Sequence, residues 1–400
     1  MEKYRGLFNE IDRLVEESAQ EAIALSDYLA DNPELSGEEE RSSKIHMDLL
    51  RRHGFDMESP FIGIPYSFIG KVKNGDGAKV VLLVEYDALP EIGHACGHNV
   101  HGAMSTLAGI ALIKLFKRGE LRGELLVIGT PSEETSGAKV LMAERGVFDD
   151  VDLAMMIHAG GGISFAKYRS LALDAIEFEF KGKSSHAASA PWEGRNALNG
   201  LQLFFHAIDM LRQHVKPEVR MHGVIVDGGS VPNIVPERAV ARFYFRAPWR
   251  GYLKRLVEQV FNCAKGAALA TATEVTWRNY EFSFDNMLPN EVAERLFEDI
   301  LRDLKVELSE PPGPMGSSDI GNVSHRCPAI QPVLDITGKK VPLHTREFSE
   351  LTKSERAHEA IVLGAKALGR MAILVLKDKD IKEALRRAFI EAKRKEESLP

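Results

Sequence analysis

The sequence has little cysteine, no long apolar run and no excess of basic residues. Only 3 of its 400 residues are cysteines, and this odd number argues against a disulfide framework. The longest apolar runs, such as residues 371–376, are far shorter than the ~20 residues that span a bilayer, so no membrane partner is predicted. Lys and Arg number 51 against 58 Asp and Glu, a net charge of -7, which argues against nucleic acid as a partner.

The remaining composition is that of an ordinary globular protein. Hydrophobic residues make up 44% and charged residues 27% of the chain. The first 20 residues are charged throughout and lack the apolar stretch of a signal peptide. Together with the unpaired cysteines, this predicts a reducing, cytoplasmic location. At about 150 residues per domain, the length predicts two or three domains, with a single large α/β domain as the alternative.

The first part of the chain alternates between helical and strand patterns. Apolar spacing predicts helices over most of the first 50 residues, with a break at Asn32-Pro33. The apolar runs at residues 80–84, 125–128 and 153–157 are too short for helices and are typical of buried strands. A helical segment at 103–117 lies between the first two runs. Buried strands that alternate with helices predict an α/β sheet covered on both faces.

The pattern changes near residue 172, where half-buried strands begin. The predicted elements are, in order, a strand at 173–180, a helix at 195–214, strands at 219–227 and 239–246, a helix at 252–270 and a strand at 274–282. The order β-α-β-β-α-β is the ferredoxin-like arrangement. After this segment, the sequence again shows helical periodicity and apolar runs that are typical of buried strands. We therefore predict a discontinuous α/β domain of residues 1–171 and 285–400, with a mixed, mostly parallel sheet and helices on both faces. An α+β domain of residues 172–284 is inserted in it.

Potential metal ligands follow three successive predicted strands. Cys96 and His98 come after the first strand, Glu133 and Glu134 directly after the second, and His158 after the third. Ligands usually bind at the carboxyl ends of the strands in an open α/β sheet. Thiolate, imidazole and carboxylate groups bind zinc-like divalent ions. Each residue alone has an ordinary structural explanation, but their coincidence at three consecutive strands favours a metal site.

Three further inferences concern this site. His344 is a further candidate ligand, and five ligands that include a thiolate able to bridge would suit two divalent ions, zinc or manganese. A carboxylate beside such ions can take a proton from the water that they activate and pass it to a leaving amine. Asp87 is suited to accept a hydrogen bond from a ligating imidazole.

The motifs that carry these residues resemble those of the aminoacylase/carboxypeptidase superfamily of di-metal peptidases, peptidase family M20. The resemblance is closest to its amidohydrolase branch, and it rests on four runs: Tyr-Asp-Ala-Leu-Pro at 86–90, His-Ala-Cys-Gly-His-Asn at 94–99, Gly-Thr-Pro-Ser-Glu-Glu at 129–134 and Met-Ile-His at 156–158. It implies that the metal ligands are Cys96, His98, Glu134, His158 and His344. Cys96 is the expected bridge and Glu133 the general acid/base.

The same resemblance implies how the substrate is held. The inserted domain matches the family's lid and dimerisation domain, so a homodimer through this domain is expected. His186 falls on a position that binds the substrate carbonyl or stabilises the oxyanion. Asn233 and Arg246 fall on positions that hold the substrate's carboxylate, and Gly316 lies in a loop that lines the pocket floor. The implied substrates are N-acyl amino acids, aminobenzoyl-glutamate-like compounds or small dipeptides.

Departures from the family pattern bear on the substrate. Asn99 and Glu85 stand where Asp is common, which resembles the p-aminobenzoyl-glutamate hydrolase and dipeptidase subgroup, and Ala159 stands where Pro is usual. None of these changes removes a ligand.

Two other functions remain open at this point. A thiol hydrolase would use Cys96 as nucleophile with His94 or His98 as base and would need no metal. That mechanism leaves the glutamate pair and His158 without a role. A non-catalytic binding protein on the same fold is the second alternative, and the complete ligand set argues against it.

Overall fold

The structure is a computed structural model that describes residues 1–314 and 316–399. It divides into two compact units, Met1–Arg169 with Met287–Lys395, and Ser170–Asn286 with the residues from Glu396 on. The first border lies at Arg169 rather than at residue 171, and the second at Met287 rather than at residue 285. The residues from Glu396 group with the inserted unit, where Asn286 donates a hydrogen bond to the Glu396 carboxylate at 2.9 Å.

The described residues form twelve β-strands and eleven α-helices. The strands are β1 (Asp56–Glu58), β2 (Phe68–Asn74), β3 (Lys79–Val84), β4 (Gly123–Gly129), β5 (Leu153–Met155), β6 (His158–Gly160), β7 (Ala172–Lys181), β8 (Arg220–Asp227), β9 (Arg238–Ala247), β10 (Glu274–Asn279), β11 (Ala329–Ile330) and β12 (Val333–Asp335). The helices are α1 (Arg5–Asp31), α2 (Glu40–His53), α3 (His98–Lys117), α4 (Ala138–Glu144), α5 (Ala197–Leu211), α6 (Arg250–Ala270), α7 (Glu291–Asp303), α8 (Ile320–Ser324), α9 (Arg346–Leu351), α10 (Glu355–Lys377) and α11 (Lys379–Glu397).

The first unit contains a six-stranded sheet in the order β1-β2-β4-β3-β5-β11. The pairs β3·β4, β3·β5 and β5·β11 are parallel, whereas β2 runs antiparallel to β4 and β1 antiparallel to β2. The prediction of a mixed, mostly parallel sheet is confirmed. The sequence pattern did not reveal β1 and β2, because β1 is only three residues long and the second half of β2 is polar and partly exposed.

The two faces of this sheet are buried in different hydrophobic clusters. On β3, Val80, Leu82 and Val84 lie in the cluster that includes α1, α3 and α10. Val81 and Leu83 point to the opposite face and pack with α4 and α8. Successive side chains of a strand point to opposite faces, so burial on both sides requires an uninterrupted apolar run. This explains why residues 80–84 show no alternation.

Helix α3 lies at the centre of the first cluster. It is long and apolar enough to cross a membrane, but 94% of its apolar window is buried inside this fold, so these criteria fit equally well with a core helix. It begins at His98, five positions before the predicted start at residue 103. Gly97, which precedes it, has φ +80°, and a Cβ there would lie 2.5 Å from the Cβ of Ala159. Glycine thus allows the chain to turn sharply into the helix.

The inserted unit is an antiparallel sheet in the order β10-β7-β9-β8 with helices α5 and α6. Its strands follow the 4-1-3-2 order of the ferredoxin-like arrangement, as their sequence order predicted. Phe178, Phe204 and Phe243 are buried where the helices pack against the sheet. On the other face, Glu177 forms ion pairs with Arg242 and Arg278. This division between faces is the alternation seen in residues 173–180.

Candidate metal centre

The structure brings the predicted metal ligands of the first unit together. Ligand atoms of Cys96, His98 and Glu134 all lie within 4.8 Å of one another. His158 Nε2 lies 3.5 Å from the Cys96 sulfur, and His344 Nε2 lies 3.6 Å from Glu134 Oε1. Thiolate, imidazole and carboxylate donors of five residues, from four separate segments of the chain, therefore converge.

The elements that carry these ligands differ in one respect from the prediction. Residues 153–157 are not one strand that ends at His158. Strand β5 stops at Met155, and His158 is the first residue of β6, which pairs in parallel with β12 outside the six-stranded sheet. A continuous apolar run does not reveal where one strand ends and the next begins, because the residues of both strands are apolar and buried.

Two histidines are oriented by hydrogen bonds from their Nδ1 atoms. His98 Nδ1 donates to Asp87 Oδ1 at 2.8 Å, which is the contact expected for Asp87. His158 Nδ1 donates to its neighbour's carbonyl, that of Ala159, at 2.8 Å. Both rings therefore present Nε2 to the cluster. A fixed tautomer of this kind is typical of metal-ligating histidines.

Unsatisfied polar atoms show that the cluster fits a cation. His98 Nε2 and Glu134 Oε1 are buried, 3.6 Å apart, and have no hydrogen-bond partner within residues 1–314 and 316–399. Such atoms are costly to bury without a partner. Mixed sulfur, nitrogen and oxygen donors suit zinc-like divalent ions, and a bound cation would satisfy both atoms. The residues present thus fit the metal ions that the motifs imply.

Cys96 is held in surroundings that disfavour a free thiolate. Its side chain is buried, and burial together with the nearby charge of Glu134 raises the pKa of this thiol well above its ordinary value. A thiolate at this position therefore needs a compensating cation.

The two adjacent glutamates at the end of β4 point to different neighbours. Glu134 Oε1 faces His98 and His344, whereas a Glu133 carboxylate oxygen lies within 4.8 Å of oxygens of Glu85 and Asp319. Burial, followed by the charges of Glu85 and Glu134, raises the pKa of Glu133 well above its ordinary value. A buried carboxyl group with a raised pKa beside candidate metal ligands is a candidate for proton transfer.

Glu39 holds the loop that carries this pair, and sequence reasoning missed it. Its Oε1 accepts a hydrogen bond from the Ser132 amide at 2.7 Å, and its Oε2 accepts one from the Gly37 amide at 2.8 Å. Ser132 has φ +63°, a conformation that non-glycine residues rarely adopt. Burial, and then the charge of Asp87, raise the pKa of Glu39 to about 7. Within the run Glu38-Glu39-Glu40, the sequence offers no signal that the middle carboxylate is buried.

Sequence reasoning also missed a buried lysine that contacts carboxylates near the cluster. Lys139 is completely buried, and its Nζ donates to Glu85 and to Asp319, both at 2.6 Å. Burial opposes the charge of Lys139, but the two carboxylates outweigh it and raise the pKa of Lys139 above its ordinary value. By resemblance, Asp319 belongs with Gly316 to the loop that lines the pocket floor, and this resemblance gives no sign of the contact with Lys139.

The proposed substrate-binding residues occur in both units. His186, Asn233 and Arg246 belong to the inserted unit. His186 Nδ1 accepts hydrogen bonds from two backbone amides, at 3.2 and 3.1 Å, and the Asn233 carbonyl accepts one from the Ala187 amide at 3.0 Å. Arg246 lies on β9. Gly316 belongs to the first unit, and a Cβ placed on it would meet no described atom within 4 Å.

A family model supplies the wider context of this site. The model described as peptidase family M20/M25/M40 matches residues 81–372. The chain belongs to this family. The matched segment contains the converging ligands from Cys96 to His344, together with Glu133 and Lys139, but it leaves out Glu39.

Relatives along nearly the whole length agree with the family. This M20 chain is 34% identical to a mouse (Mus musculus) protein named Xaa-Arg dipeptidase, over 96% of the chain and 92% of the relative. It is 27% identical to a p-aminobenzoyl-glutamate hydrolase chain of Escherichia coli (strain K12), over 93% and 92%. A solved dinuclear metal-binding M20 peptidase of Bacillus subtilis has the same fold, with a TM-score of 0.68, 20% identity and coverage of 90% and 99%. The chain is accordingly an enzyme of the metallopeptidase and amidohydrolase class.

Proposed function

We propose that this enzyme hydrolyses the amide bond of a small dipeptide, an N-acyl amino acid or a p-aminobenzoyl-glutamate-like compound, and that it requires two divalent ions, zinc or manganese. The observation that carries the proposal is the convergence of Cys96, His98, Glu134, His158 and His344 beside the buried Glu133. The names of the relatives, a dipeptidase and an aminobenzoyl-glutamate hydrolase, support these substrate classes.

Glu133 is the proposed acid/base. When bound, the ions polarise the scissile carbonyl and make water a stronger acid and nucleophile. The Glu133 carboxylate takes a proton from the attacking water and delivers it to the leaving nitrogen. Burial and the neighbouring carboxylates raise the pKa of Glu133, which favours the protonated form that delivers the proton. Asp87 keeps His98 in the tautomer that presents Nε2 to the cluster.

We assign the substrate-binding roles to His186, Asn233, Arg246 and Gly316. Two amide donors occupy His186 Nδ1, so the neutral ring carries its hydrogen on Nε2, which is then free to donate to a carbonyl oxygen as negative charge develops. An asparagine amide and a guanidinium group are suited to bind a carboxylate. These assignments rest on the resemblance of the surrounding motifs to those of the family.

The thiol-hydrolase alternative is less well supported. A nucleophilic cysteine needs an accessible thiolate of lowered pKa. Cys96 is buried, and burial with the charge of Glu134 moves its pKa in the opposite direction. Metal-dependent hydrolysis uses Glu133, Glu134 and His158, for which the thiol mechanism has no role.

Removal and return of metal ions test the proposal. The enzyme is treated with a chelator, and hydrolysis is measured on dipeptides, N-acyl amino acids and p-aminobenzoyl-glutamate, before and after addition of Mn²⁺ or Zn²⁺. We expect the chelator to abolish turnover of at least one substrate class and the metal ion to restore it. Full activity in excess chelator, with no metal in the protein by elemental analysis, would contradict the proposal.

We also propose a homodimer formed through the inserted unit. Strand β8 is an edge strand of its sheet, and Val224, Ile225 and Val226 on it are 63%, 47% and 51% exposed. An exposed apolar edge is a template for pairing with another strand. A second copy of the chain would continue the sheet and cover these side chains.

A further inference from the structure

Lys139 joins two carboxylates that lie far apart in the chain. Its Nζ donates to Glu85 Oε1 and to Asp319 Oδ1 at 2.6 Å each. Its backbone amide donates to the other oxygen of Asp319 at 3.1 Å, which caps the start of α4. All three side chains are 0–1% exposed. The ammonium group of Lys139 is thus a buried counter-ion for the two carboxylates, and three hydrogen bonds hold the residue in place.

The second oxygen of Glu85 is also occupied. His101 Nδ1 accepts a hydrogen bond from the Ala159 amide at 3.2 Å, so the hydrogen of this neutral ring lies on Nε2. His101 Nε2 donates it to Glu85 Oε2 at 2.8 Å. A continuous series of contacts therefore runs from Lys139 through Glu85 and His101 to the backbone next to His158.

Glu85 is close enough to the metal cluster to join it. Its Oε2 lies 3.7 Å from His98 Nε2, and ligand atoms of Glu85, His98, His101 and His158 lie within 4.8 Å of one another. A carboxylate free of other partners at this position would bind a divalent ion. With Lys139 on one oxygen and His101 on the other, Glu85 instead has a donor for each oxygen.

We propose that Lys139 is a positioning residue that keeps Glu85 out of the metal-ligand set and, through Glu85, holds His101 and the backbone beside His158 in place. The inference rests on the proposed metal-dependent function. Lys139 lies away from the reacting atoms, but its contact with Glu85 determines whether the Glu85 carboxylate can reach the ions. Without the ammonium group, Glu85 is released toward His98 and adds an oxygen ligand.

The test compares four full-length proteins loaded with Co²⁺: the unaltered enzyme, Lys139→Met, Glu85→Gln and the double variant. The visible absorption bands of Co²⁺ report the number and type of its ligands. Lys353→Met, which removes an exposed ion pair with Asp31 in the same unit, is the matched control. Thermal unfolding and kcat are measured on the same samples.

We expect Glu85→Gln and Lys353→Met to keep the Co²⁺ spectrum of the unaltered enzyme. Lys139→Met should shift the bands and lower kcat about 10–100-fold, the usual effect of disturbing groups that orient ligands. The double variant should regain the original spectrum, because the amide that replaces the Glu85 carboxylate has no negative charge to bring to the ions. Loss of stability in both proteins that lack Lys139 is expected and does not distinguish them.

Three results would overturn the inference. The first is an unchanged spectrum in Lys139→Met, and the second is a shifted spectrum that the double variant keeps. The third is an altered spectrum in Glu85→Gln, which would make Glu85 a ligand of the native site and which decides the matter even if Lys139→Met does not fold. Failure of the unaltered enzyme to bind Co²⁺ would instead overturn the proposed function, and this inference with it.

Discussion

At the scale of single residues, the neighbours Glu133 and Glu134 differ in chemistry because their side chains have different partners. Glu134 Oε1 lies 3.6 Å from both His98 Nε2 and His344 Nε2. Glu133 instead lies among the carboxylates of Glu85 and Asp319. Glu134 therefore faces other candidate metal ligands, whereas Glu133 faces other buried carboxylates.

Replacement of Glu133 by Gln should separate catalysis from metal binding. Glutamine keeps the size of the side chain but cannot exchange a proton, so kcat should fall by about 10²–10⁴-fold, the usual contribution of a general acid/base. Metal content by elemental analysis should not change. Glu134→Gln is the contrasting variant and should lose metal. Hydrolysis at the native rate by Glu133→Gln would refute the role of this residue.

Glu39 should affect the rate without touching the reacting atoms. Glu39→Ala removes the acceptor of the Ser132 amide, so the loop that carries Glu133 and Glu134 loses the contact that holds its left-handed residue. We expect a lower kcat with a smaller change in KM. Glu39→Gln should be milder, because its amide oxygen can still accept from Ser132.

The exposed neighbour Glu38 supplies the control for this prediction. Glu38→Ala should have native kinetics, since its side chain contributes no contact to the Ser132 loop. Equal effects of Glu38→Ala and Glu39→Ala would show that local charge, rather than the contact with Ser132, matters.

At the scale of elements, a buried arginine ties three helices of the first unit together. Arg370 on α10 donates to Asp12 on α1 at 3.0 Å and to Asp303 on α7 at 2.5 Å. Arg5 on α1 donates to the same Asp303 oxygen at 2.6 Å. The Asp303 carboxylate is therefore a shared acceptor at the contact of these helices.

This arrangement predicts sensitivity to acid. The hydrogen bond from Arg5, and with it that from Arg370, holds the pKa of Asp303 below its ordinary value. A group with a lowered pKa in the folded state stabilises the protein above its unfolded pKa of about 4, and this contribution is lost as the pH falls. Between about pH 5 and pH 3, the free energy of unfolding should fall more steeply for the native protein than for Asp303→Asn.

Urea unfolding across this pH range checks the prediction. Asp299→Asn, a change at a more exposed position of the same helix, is the matched control and should follow the native protein. Parallel pH dependence of Asp303→Asn and the native protein would show that Asp303 adds nothing to acid stability.

The sequence pattern predicted the strands whose side chains are buried on one face or on both faces of a sheet. It did not show where a buried segment changes its pairing partner. The alternation in residues 173–180 corresponds to β7, and the apolar run at 80–84 to β3. The change from β5 to β6 at His158 was not visible, because both segments are buried and both have parallel partners. Two of these partner strands, β11 and β12, come from a distant part of the chain, so the local sequence pattern does not predict them.

At the scale of the whole molecule, the exposed edge of the inserted unit determines the expected assembly. A charge at the edge opposes strand pairing. Ile225→Lys should therefore convert the proposed dimer to a monomer, as measured by light scattering after size-exclusion chromatography. Leu269→Lys is the control, since Leu269 is 85% exposed but lies on helix α6. A native protein that is monomeric at all concentrations would contradict the proposal.

The chemistry of the ligand set could be predicted from the chain alone, whereas the state of the buried carboxylates could not. Cys96, His98, the pair Glu133 and Glu134, and His158 were singled out because each follows a predicted strand and carries a donor atom that metals bind. The family resemblance, rather than the strand pattern, selected Glu134 as the ligand of the pair. Whether a glutamate binds a cation, a lysine or a backbone amide is decided by what folding places against it. Lys139 contacts Glu85, which is 54 positions away in the sequence, and Asp319, which is 180 positions away. Glu39 contacts Ser132, which is 93 positions away. Local sequence carries no record of contacts at such separations, because they are made by tertiary packing.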